Sequence, residues 1–250
     1  MDSPGNGSQS LIRRPFLKIQ SFVTLTSWRD RVGSLLQDHQ LAAFIEILIV
    51  IAIYVLKING LLPMSKIPIL LIGSVSLWLR RSGWRQIGMD KPESWTKTIL
   101  LGVGIAVLDT VFGLIVTLPV LHQITGEMMD LQQFNPIRGN PRELLFWLVL
   151  SWTYAAIAEE MVYRGYFLNR LADLFGRHKP GWILSILFSS LMFGFVHGYM
   201  GITGILNTFL SGVLYATAYL VFGRNLWVPV IIHGVGNTIG MVMLYFGFYS

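Results

Sequence analysis

Eight ionisable or amide side chains stand within or beside long apolar runs: Glu46, Asp109, Glu159, Glu160, Arg164, His197, His233 and Asn237. A charged group in hydrocarbon costs at least ~2.5–3.5 kcal/mol on insertion scales, so each needs a partner, a hydrated cavity or a task. In AEEMVYRGYF, Glu160 and Arg164 are four apart with the acid first, the order that favours an ion pair along one helix face. Glu159 is turned from that face by roughly 100° and is left uncommitted. A carboxylate tied to arginine is a weaker base than one desolvated beside a second carboxylate, so the spacing predicts one supporting acid and one proton acceptor. His197 closes FGFVHG four residues after Phe193, and in HGVGN the imidazole of His233 and the carboxamide of Asn237 share one helix face.

A carboxylate with a histidine can deprotonate water, and a second histidine beside an amide donor can stabilise an oxyanion. Those parts suffice for peptide-bond hydrolysis without a covalent intermediate. Other hydrolytic patterns are missing: there is no G-x-S-x-G, no H-E-x-x-H and no cysteine, and Asp109 in GIAVLDTVFG lacks the second aspartate motif that an aspartyl pair needs. Asp109 and Glu46 are therefore expected to be structural, Asp109 through a hydrogen bond and Glu46 through the interface or a tail arginine. No cofactor is expected, although zinc stays open because two histidines and a carboxylate form a ligand set that leaves one position for water. Asn237 favours the metal-free reading, being a natural oxyanion donor and a poor zinc ligand. A proton-coupled transporter using the same carboxylates and histidines is the alternative, but no internal repeat or pair of Gly/Pro-broken segments speaks for it. A noncatalytic peptide-binding membrane protein and haem held between the two histidines are weaker readings.

These residues need apolar elements to hold them. The 250 residues are 53% hydrophobic and only 13% charged, with a mean hydropathy of +0.58. So few charges could hardly cover a water-facing surface. The expected fold class is all-α, a polytopic transmembrane helical bundle of about seven spans (six to eight), near 41–58, 67–79, 98–121, 144–163 or beyond, 181–197, 202–222 and 226–249. Residues 1–40 read as a cytoplasmic basic tail, partly disordered and in part amphipathic; 41–97 as N-terminal spans with a cytoplasmic linker; 98–250 as the transmembrane catalytic bundle. Fifteen of the nineteen lysines and arginines fall on the side of the N-terminus and only Lys66, Arg138 and Arg142 on the other, with Lys57 at a boundary, which predicts a cytoplasmic N-terminus. Topology thus accounts for the net charge of +6 without nucleic acid as a partner. The expected partners are the bilayer and a membrane-associated peptide or protein substrate. A short chain with a polar start and no organelle-retention tail fits a bacterial inner membrane.

The ordered motifs Glu159-Glu160-x-x-x-Arg164, Phe193-x-x-x-His197 and His233-x-x-x-Asn237 resemble those of the CPBP intramembrane proteases, also called the Abi or CAAX-protease family, which includes the eukaryotic Ras-converting CAAX endopeptidase. No motif position departs from the pattern. The resemblance covers roughly 140–245, Arg81–Met89 looks like the short cytoplasmic element that precedes this domain, and the first 80 residues carry none of it. It implies a helical bundle with a conical cavity opening toward the cytoplasm and cleavage of a membrane-associated, CAAX-type prenylated substrate. By the same resemblance Glu159 is general base with His197 orienting the water, Glu160 and Arg164 support it, and His233 with Asn237 forms the oxyanion site. Members are often labelled metalloproteases, so the resemblance leaves the metal question open.

Overall fold

The computed structural model describes residues 27–248, and within them the regular structure is entirely helical. The helices are α1 (Trp28–Asp38), α2 (Gln40–Ile58), α3 (Lys66–Leu79), α4 (Trp95–Thr125), α5 (Pro141–Phe175), α6 (Lys179–Phe195), α7 (Gly201–Val221) and α8 (Trp227–Phe246). Five, namely α2, α4, α5, α7 with the 3₁₀ turn before it, and α8, are long and apolar enough to cross a membrane, while α3 and α6 are apolar but shorter. The chain is an integral, multi-pass membrane protein. The reading of the basic tail falls mostly on residues 1–26, outside the described residues; its remainder is α1.

Local chemistry sets the helix ends. Ser94 and Asn140 cap α4 and α5 by accepting backbone N–H groups of the first turn, and Pro141 follows where its missing N–H costs nothing. Gly176 closes α5 with φ +87, a conformation open to glycine. On α4, Leu100, Leu108 and Ile115 are about 70% exposed, a lipid-facing surface rather than a core.

Inside, α6 lies along α7, α8 along α4, and α2 against the second half of α5. Tyr54 and Ile69 from α2 and α3 join Val162, Tyr163, Phe193, Tyr215 and Ile232 in one core. Small residues bring α6 and α7 together, the usual device where lipid tails offer no hydrophobic contrast. A Cβ on Gly212 would meet Ser190 at 2.9 Å and one on Gly194 would meet the Ile205 carbonyl at 2.7 Å. That close approach carries the Gly212 carbonyl toward α5.

Candidate active site

Helix α5 presents the acids. Its single α-helical turn Ala158–Glu160 lies between π-helical stretches Ser151–Ile157 and Met161–Phe167. The wider π turns shift the angular register of side chains on either side, a feature that recurs at functional sites.

Glu160 is fully buried and Arg164 is 1% exposed, so neither charge is tolerable alone. Arg164 Nη1 reaches Glu160 Oε1 at 3.0 Å, and its Nη2 donates to the Gly212 carbonyl at 3.2 Å. The guanidinium carbon lies 4.4 Å from the centre of the Phe193 ring, a cation–π contact. Arginine keeps Glu160 an acceptor, so His233 Nδ1, 2.9 Å from Glu160 Oε1, carries the proton and donates it. The second ring nitrogen then faces the other acid: His233 Nε2 and Glu159 Oε2 are 3.8 Å apart. One water at hydrogen-bond distance from each, about 2.8 Å, fits that separation. Glu159 Oε2 and Glu160 Oε2 are both buried without a hydrogen-bond partner among the described residues.

Glu159 is not uncommitted, as the spacing suggested: like Glu160 it holds a cation, so the two acids are not set apart by one being tied and the other free. Lys66 Nζ, at the first residue of α3, lies 2.5 Å from Glu159 Oε1 and donates to the Tyr154 carbonyl at 3.1 Å. The ammonium also sits 3.8 Å from the centre of the Tyr154 ring. Sequence reasoning used Lys66 only as a loop charge. The available signal was a lysine opening an apolar helix, where its stem can run along the bundle while its head seeks a partner.

His197 follows α6, half-buried, and its Nδ1 lies 2.7 Å from the Phe193 carbonyl. A carbonyl only accepts, so Nδ1 is the protonated nitrogen and Nε2 is left with a lone pair. The Phe193 ring stands between the two imidazoles, 4.9 Å from that of His197 and 6.0 Å from that of His233. Asn237 is half-buried one turn beyond His233, and its carboxamide makes no hydrogen bond among the described residues. Trp152 Nε1 bonds Thr238 at 3.1 Å and packs on Gly234, where a Cβ would come within 2.5 Å of the ring, so α8 is seated closely on α5.

The remaining polar residues separate from this set. Glu46 is held by Arg80 at 2.9 Å and by the Tyr166 hydroxyl at 2.9 Å; its partner is an arginine at the end of α3 rather than one from the tail. Asp109 is half-buried, and the hydrogen bond expected for it is missing among the described residues. Where a zinc ion would use Glu159, a lysine ammonium already occupies Oε1 and would repel the metal.

Paired acids and an imidazole bound to one of them and facing the other are thus brought together, buried, between α5 and α8. Residues 141–239, which contain every one of those side chains except Lys66, match the family model described as type II CAAX prenyl endopeptidase Rce1-like. Over that segment, 99 of the 250 residues, the chain is therefore similar to the CAAX proteases of the CPBP family. No curated protein and no solved structure matches the chain.

Proposed function

We propose that the protein is a glutamate-dependent intramembrane endopeptidase that cleaves a membrane-associated, CAAX-type prenylated substrate. The observation that carries this reading is the junction of the first and third motifs: Glu160 bonds His233 Nδ1, and Glu159 Oε2 faces His233 Nε2 across 3.8 Å. A water between the motif residues gives its proton to Glu159 Oε2 and attacks the scissile carbonyl carbon. Its orientation comes from the His197 Nε2 lone pair. The oxyanion that forms is stabilised by His233, as an imidazolium backed by Glu160, and by the Asn237 amide. Glu159 then passes its proton to the leaving nitrogen as the C–N bond breaks, giving a carboxylic acid and an amine, and the acid's proton moves on to the amine as the products separate. No metal takes part in this sequence.

In this reading residues 98–250 form the catalytic bundle and 41–97 contribute Lys66 to it. The arginine-rich end faces the cytoplasm of a bacterial inner membrane, as the charge asymmetry supports. The deciding experiment is cleavage of a prenylated CAAX peptide by purified protein in detergent or discs. Glu159→Gln keeps shape and removes the base, so it should abolish turnover while the variant still inserts and folds; near-wild-type turnover would end the assignment. A strong chelator should leave the wild type active, and loss restored by zinc would replace the metal-free route.

A further inference from the structure

A second polar centre lies away from the acids, where the arginines gather at one end of the bundle. A cavity of about 280 Å³ opens there between α1, the segment after α3, the end of α5 and the turn after α7. Arg80 and Arg170 line it at 6% and 7% exposure, and the Nε of each is buried without a hydrogen-bond partner among the described residues. Arg177 and Arg224 line it too and are exposed.

The charges do not balance. Glu46 pairs with Arg80 at 2.9 Å, and Asp173 serves both Arg170 at 2.8 Å and Arg177 at 2.7 Å. Four guanidiniums thus share two carboxylates among the described residues. Arg224 lies over the Trp182 ring, 4.9 Å from its centre, and faces no carboxylate among them. The two buried guanidiniums are each paired with a carboxylate, Arg170 Nε also lying 3.9 Å from Glu46 Oε2, yet each keeps an unused N–H; with the surplus positive charge at the exposed mouth they are complementary to an anion, and their planar forks suit the tetrahedral oxygens of phosphate. The helices α3, α5 and α7 end around this cavity, and the ends of spanning helices are where a bilayer places its phosphates.

We propose that this cavity binds a phosphate-bearing anion, with Arg80 and Arg170 beneath it and Arg177 and Arg224 at its mouth. The site is independent of the hydrolytic centre. The test uses the full chain in phosphatidylcholine nanodiscs, with Tm followed as inorganic phosphate is added and, separately, as phosphatidylglycerol is included in the discs. At least one probe should raise Tm in a saturable way. Response to phosphate in neutral discs marks a soluble anion as the ligand, and response to phosphatidylglycerol alone marks a lipid headgroup. The double variant Arg177→Gln, Arg224→Gln alters only exposed side chains and should weaken half-saturation by roughly ten-fold or more, the loss expected for two charge-assisted hydrogen bonds. Lys91→Gln, an exposed charge outside the cavity, should leave the response unchanged. A double variant that responds like the wild type, an equal loss in Lys91→Gln, or no response to either probe would overturn the proposal.

Discussion

Lys66 and Glu159 stand 93 positions apart in sequence and 2.5 Å apart in space, joined by an ion pair in which both side chains are almost wholly buried. The lysine takes only Oε1 and leaves Oε2 toward His233. It thereby fixes the rotamer of the proposed base without covering the oxygen that would accept a proton.

Replacing Lys66 is therefore expected to reduce turnover without changing the chemistry. Lys66→Met leaves Glu159 buried and unpaired and should lower kcat by about ten-fold or more, in line with the few kcal/mol at stake when one partner of a buried pair is removed. Lys66→Arg retains the charge and should recover much of that loss. Steady-state kinetics of the three proteins check this; an arginine variant as slow as the methionine variant would mean that packing, not charge, is what α3 supplies.

Glu160 differs from Glu159 in what depends on it. Its carboxylate neutralises a fully buried arginine and fixes the His233 tautomer. Glu160→Gln should thus lower both turnover and thermal stability, the latter by an amount on the order of the 3–5 kcal/mol seen when a buried pair is broken. Both variants break a buried pair, but the lysine side chain left by Glu159→Gln is 11% exposed and the arginine left by Glu160→Gln 1%, so thermal unfolding in detergent should rank Glu160→Gln below Glu159→Gln. Equal midpoints would show that the Glu160–Arg164 pair does not hold the bundle.

Why the acids and histidines were legible, and Lys66 was not, follows from where each signal resides. Glu159, Glu160, His197 and His233 stand out because a polar group in an apolar span is costly, and the i, i+4 spacing of Glu160 and Arg164 survives the π-helical turn between them. The link from Glu160 to His233 had no local signal, since it depends on α8 seating on α5 through Gly234 and Trp152. Lys66 was hidden for the same reason: its partner is brought to it by the packing of α3 on α5, whereas sequence counting sees only a charge beside a span. The apolar runs gave the helices but not the two π stretches, because both hydrogen-bond registers accept the same apolar composition. Residues 28–38, part of the stretch read as a basic, partly amphipathic tail, carry contacts that composition does not show: Arg29 Nε donates to the Trp78 carbonyl at 3.0 Å, and Asp30 pairs with Arg81.

The Asp30–Arg81 contact should depend on pH. The hydrogen bond from Arg81, followed by that from Ser27, holds the Asp30 carboxyl below its ordinary value of 3.8. A group whose folded value is depressed stabilises the folded form above its unfolded value and loses that contribution as pH falls through the folded one. The contact is thus complete at neutral pH and fades below 3.8, while the Arg29–Trp78 hydrogen bond does not titrate in that range. Trp28 and Trp78 have ring centres 6.0 Å apart, so tryptophan emission should report release of α1 on acidification. Asp30→Asn should flatten that acid transition, and a transition of unchanged size would place its origin elsewhere.

Asn237 and His233 share one face of α8, but only His233 is tied to an acid. If both donate to the oxyanion, Asn237→Ala should lower kcat by roughly 10²–10³ with little change in KM, the loss typical of a missing oxyanion donor. Asn237→Asp keeps the shape but offers an acceptor where a donor is needed, so it should be no better than alanine. His233→Ala should fall at least as far, since it also leaves Glu160 Oε1 with Arg164 as its one partner. Single-turnover kinetics separate the steps. A KM rise at constant kcat in Asn237→Ala would make the amide a substrate-binding group and leave the oxyanion to His233.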